Sequence, residues 1–148
     1  MARKRHALSI SGFKVGLDPS WTIVAVLVVW SLAVGLFPNY YPNLARSTYW
    51  IMGFIAAVGL FASIVIHELS HSLVARRSGV YMRGITLFLL GGVAEMENEP
   101  RTPGVEFKMA IAGPLMSVAL SAIFWGLYRL AGASHLPLPV IGVLGYLG

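Results

Sequence analysis

His67-Glu68-Leu69-Ser70-His71 sets two imidazoles and a carboxylate within five consecutive positions. Residues four apart share one face of an α-helix, so His67 and His71 can each offer a nitrogen to a single Zn²⁺. Glu68 is rotated about 100° from His67, within reach of a water at that metal, where a general base belongs. Metal-assisted hydrolysis is the chemistry such a set suits. Haem ligation does not fit, because histidines on one helix face cannot take opposite axial positions on one haem.

The elements that must position these residues are membrane helices. Of the 148 residues 57% are apolar and 11% charged, and the mean hydropathy is +0.74, far from a soluble domain of this size. Three runs are long enough for a hydrocarbon core of about 30 Å: about 21–37, 49–75 and 109–128. The second carries the HExxH in its last third. Three ionisable groups at such depth are costly and imply a function. A fourth run, Leu136 to Gly148, is too short to cross and resembles the opening turns of another helix. Pro38-Asn39-Tyr40-Tyr41-Pro42 closes the first run where a cleavage site would stand, so that run is expected to be a retained span.

Nine basic residues (Arg3, Lys4, Arg5, Lys14, Arg76, Arg77, Arg83, Arg101, Lys108) fall on one side of this arrangement. Two, Arg46 and Arg129, fall on the other. The bias predicts a multi-pass protein of the cytoplasmic membrane with a cytoplasmic amino terminus, and it explains the net charge of +5 without nucleic acid. If the second helix leaves the bilayer near Arg76, the histidines lie roughly 8–14 Å below the cytoplasmic surface. Water must reach them through a protein-lined cavity. Ser63 and Ser70 lie on or beside that face, either to support the histidines or to bond back to their own helix.

Leu8 to Gly16 alternates like a short strand. Ile85 to Ala94 is too short to span, is flanked by Gly84 and Gly91-Gly92, and suits a strand or re-entrant hairpin. Its open edge could pair with an extended substrate or could simply form an interfacial hairpin. Asn98 to Gly104, with two prolines and a glycine, reads as an exposed loop. Ala110, Ala112, Gly113 and Ser117 would let the third helix pack closely on a neighbour, and Gly53, Ala57 and Gly59 suit internal packing or dimerisation. The expected fold is an all-α polytopic membrane protein, a single core over 1–148, with three transmembrane helices, the start of a fourth and a small membrane-associated β-hairpin or sheet.

Three blocks together resemble the site-2 proteases, a family of intramembrane zinc metalloproteases. They are the HExxH, the apolar Leu87-Phe88-Leu89-Leu90-Gly91-Gly92-Val93-Ala94, and Glu106 to Ser117 with its Gly113-Pro114. The resemblance covers most of the chain from about Leu8 onward. It implies Zn²⁺ held by His67 and His71, Glu68 as the catalytic base, and Gly91 and Gly92 on a substrate-binding edge. It also implies a substrate that is a single-pass, membrane-spanning regulatory protein in the lipid bilayer.

One departure stands out. The family draws its third zinc ligand from an aspartate in a later helix, within a leucine-aspartate-glycine type motif. The only aspartate here is Asp18, ahead of the first span. Glu95, Glu97, Glu99 and Glu106 fall in the central loop, and His135 is expected on the opposite side of the membrane. The run breaking off at Gly148 leads to the expectation of a carboxy-terminally truncated protease. The alternative is a catalytically inactive membrane-helix or metal-binding module that lacks the third ligand.

Overall fold

The structure is a computed structural model, and it describes residues 7–10, 13–17, 20–80, 82–88, 91–96 and 102–148. The Arg3-Lys4-Arg5 run, the Asp18-Pro19 helix entry, Leu89-Leu90 and residues 97–101 of the central loop lie outside these. Two compact units are formed, one from Met1–Val24 and Val65–Met116, the other from Ala25–Ile64 and Ser117–Gly148.

The first unit contains a four-stranded sheet. Ala7–Ile10 (β1) pairs antiparallel with Phe13–Leu17 (β2), which runs parallel to Met82–Phe88 (β3) with Val15 opposite Ile85. The partner of β3 on its other side is Gly91–Met96 (β4), antiparallel, so the order is β1-β2-β3-β4. The same unit holds the carboxy-terminal part of one long helix and the amino-terminal part of another.

The longer of these, α3, follows two shorter helices and covers Arg46–Arg77. Its end is fixed by Gly79, whose φ of 78° is open to glycine at little cost. The amide of Gly79 donates to the carbonyl of Arg76 (3.2 Å) and that of Val80 to Ala75 (2.9 Å), the two bonds of a Schellman closure. Val80 and Ala75 are both buried, in keeping with the apolar contact that accompanies this motif. Gly79→Ala should therefore cost about 1 kcal/mol. The helix Pro103–Ala133 (α4) closes with the same bonding pattern, but with His135 at φ 52° in the glycine position. His135→Gly should shift the melting midpoint upward where Gly79→Ala shifts it downward. Thermal melts of both variants in detergent test the pair, and like-signed shifts would contradict it.

α4 begins earlier than the hydropathy suggests. Thr102 caps it, its Oγ1 accepting the Val105 amide at 3.3 Å, and Pro103 takes the first helical position, where its missing N–H costs nothing. Pro103 and Gly104 thus belong to a helix rather than to the exposed loop expected over 98–104. A Thr-Pro step ahead of an apolar run is a start signal that composition alone obscures.

In the second unit the first apolar run also continues past its expected end. Ser20–Ser31 (α1) passes through a π-turn at Leu32–Leu36 into a short helix, Phe37–Tyr40 (α2). Leu32, Ala33 and Phe37 are buried with Tyr49, Met52 and Ala56 of α3 and with Val143 of Leu138–Leu147 (α5). Tyr49 ties down the turn between α2 and α3, donating to the Tyr41 carbonyl (2.8 Å) and accepting from the Leu44 amide (3.1 Å). Gly53 meets α1 so closely that a Cβ would sit 2.9 Å from the Val29 carbonyl oxygen. At Gly59 a Cβ would sit 2.6 Å from Leu147. Both glycines serve internal packing.

Three helical segments are long and apolar enough to cross a membrane: Trp21–Tyr40, Arg46–Arg77 and Pro103–Ala133. Their large side chains are widely exposed, Val118 at 68% among them, as lipid-facing surfaces are.

Candidate metal centre

The carboxy-terminal third of α3 delivers the motif as helical spacing requires. His67 and His71 stand one turn apart with their Nε2 atoms 3.2 Å from each other and their rings at 72°. Two nitrogens bound at about 2.0–2.1 Å to a tetrahedral zinc are separated by roughly 3.3–3.4 Å. The pair is therefore spaced to share one ion.

The orientation of His71 is set from outside its own helix. Its Nδ1 lies 2.6 Å from the carbonyl oxygen of Met109 on α4. A carbonyl can only accept, so Nδ1 carries the proton and donates, leaving the lone pair of Nε2 facing His67. A histidine held this way is in the tautomer that a metal needs.

One turn further along α4, Gly113 is buried directly against the two rings. A Cβ built there would lie 2.5 Å from His67 Nε2 and closer still to His71 Nε2. Here α4 leaves room for both rings, and their Nε2 atoms converge against it. Two imidazole nitrogens at this separation suit a small cation such as zinc. Among the described residues no group of three or more His, Cys, Asp or Glu gathers to hold one.

Glu68 follows His67 on α3 and is half-buried. Its carbonyl accepts the hydroxyl of the fully buried Ser72 at 3.1 Å. Ser63 and Ser70 donate to the carbonyls of Gly59 (2.9 Å) and Ile66 (2.8 Å), so both bond back to their own helix. Gly91 and Gly92 occupy the first two positions of β4, one of the two end strands of the described sheet, opposite Phe88 and Leu87. Sequence reasoning assigns Gly113 to packing and gives Met109 no role. The i, i+4 spacing of Met109 and Gly113 on an apolar helix is the available signal, and nothing in it points to His71.

The profile of peptidase family M50 matches residues 55–140. Over 140 residues the chain is 43% identical to the "Putative zinc metalloprotease" sll0528 of Synechocystis sp., covering 95% of this chain and 36% of that protein. Over 138 residues it is 40% identical to Rip3 of Mycobacterium tuberculosis, which carries the same description, covering 93% of this chain and 35% of that one. The chain thus spans about a third of the length of the curated relatives it matches. The solved site-2 protease from Methanocaldococcus jannaschii superposes with a TM-score of 0.58 at 24% identity, over 95% of this chain and 58% of that chain, and so shares its fold. Three apolar helices on this fold make the protein a multi-pass membrane protein. The family match contains His67, Glu68, His71 and Gly113 together, and it extends over more than half the sequence: the chain belongs to peptidase family M50, the site-2 protease family.

Proposed function

We propose that the full-length protein is an intramembrane zinc metalloprotease and that residues 1–148 act as its membrane-embedded core. The observation that carries this reading is the convergence of His67 and His71 Nε2 at 3.2 Å, with His71 locked by Met109. His67 and His71 hold the ion. When bound, zinc supplies Lewis acidity to the scissile carbonyl and to the attacking water. Glu68 takes the proton from that water and passes it to the leaving amine. His71 keeps its proton on Nδ1 throughout, because the Met109 carbonyl accepts a hydrogen bond and has none to donate.

The substrate is a single-pass, membrane-spanning regulatory protein. A helical substrate hides its peptide bonds, so the target segment must unwind, and its freed backbone groups then need partners within the membrane. β4, an end strand of the described sheet, offers such partners along its edge, and Gly91 and Gly92 permit close backbone approach. On this reading the sheet is membrane-associated. The amino terminus is cytoplasmic in the cell membrane and the zinc lies nearer that side, as the Lys and Arg bias requires.

Chelation should stop cleavage of a single-pass reporter by the full-length protein in detergent, and added Zn²⁺ should restore it. Cleavage that persists through exhaustive chelation would refute a metal mechanism. The second reading, an inactive module that binds membrane helices or metal, rests on the missing third ligand among the described residues. It expects no proteolysis with or without zinc.

A further inference from the structure

We infer that Gly113 is a positioning residue of the metal centre: its missing side chain lets the rings of His67 and His71 lie against α4 with their Nε2 atoms together. This rests on the proposal that those histidines hold zinc.

Two independent observations converge on it. First, the two rings already take the place of a Cβ at position 113, which would fall 2.5 Å from His67 Nε2 and 2.6 Å from His71 Cε1. Ring atoms at the end of a side chain can ordinarily swing away from such an intruder. Second, His71 cannot swing without breaking its 2.6 Å bond to the Met109 carbonyl. Met109 and Gly113 sit four residues apart, on one face of α4. That face thus does two things at once. Its carbonyl fixes one imidazole and its glycine leaves room for both rings. Helix propensity would not select glycine here, since alanine is the better helix former. Elsewhere on α4, a Cβ at Gly104, Gly126 or Gly132 would meet no atom within 4 Å, so glycine there reserves nothing.

The test uses the full-length protein in detergent, with zinc affinity read by competition against a chromogenic chelator and stability read by thermal melting without metal. Gly113→Ala is expected to weaken zinc binding at least about tenfold, the scale of losses from disturbed outer-shell support. Gly126→Ala is expected to bind as the parent does. To separate binding from folding, the Gly113→Ala substitution is also placed in a His67→Ala/His71→Ala background. If the clash is with the imidazoles, any fall in melting midpoint disappears once the rings are gone. Parental zinc affinity in Gly113→Ala overturns the inference and leaves the proposed function standing. An equal loss of stability in both backgrounds overturns it too, since that marks ordinary packing. Failure of the parent itself to bind zinc removes the metal reading and this inference with it.

Discussion

Glu68→Gln in the full-length protein is expected to lower cleavage by about 10²–10⁴-fold while zinc stays bound, the range that a positioned general base contributes. The amide keeps the size and shape of the carboxylate, so the half-buried site beside His67 is not repacked. It loses the ability to accept a proton from water and to return one to the departing amine. Ser72 donates its hydroxyl to the backbone carbonyl of Glu68, a bond that the amide leaves intact. Single-turnover cleavage together with metal content measures both halves. Cleavage within a few-fold of the parent would sink Glu68 as the base, and loss of zinc would mean that the carboxylate is a ligand instead.

Replacing either histidine is expected to remove the metal outright. With two nitrogens converging and no third His, Cys, Asp or Glu gathered to them among the described residues, the pair has nothing local to fall back on. His71→Ala also removes the bond between the ring and the Met109 carbonyl. The zinc affinity of His67→Ala and His71→Ala should therefore fall by more than the roughly 10–100-fold that outer-shell changes cost. Activity should fall with it and should not return at raised zinc. Competition titration checks the affinity, and a His71→Ala protein that retained parental zinc binding would place the ligands elsewhere.

The parts of this site that could be read in the sequence are those written in local spacing. HExxH states its own geometry once a helix is granted, and long apolar runs mark the helices. Other contacts depend on which distant segments meet. The bond from His71 to Met109 joins a side chain to a main-chain atom 38 residues away, and a carbonyl leaves no trace in residue type. Gly113 lies next to Pro114 among alanines, where small size suits packing so well that a second reason for it goes unseen. The parallel pairing of Val15 with Ile85 joins segments far apart in the chain, and alternation within Leu8 to Gly16 carries no address for its partner. The π-turn at Leu32–Leu36 is marked only indirectly, by Pro38 just after it, which has no N–H to give and crowds the Val34 carbonyl one turn back.

The bond that holds His71 is indifferent to what residue 109 is. Any amino acid there supplies the same carbonyl, so substitution at Met109 can drift without disturbing the imidazole. Length is another matter. One residue added or removed between Met109 and Gly113 would turn the acceptor about 100° around α4 from the glycine that faces the same ring. The support is robust to spelling and vulnerable to counting.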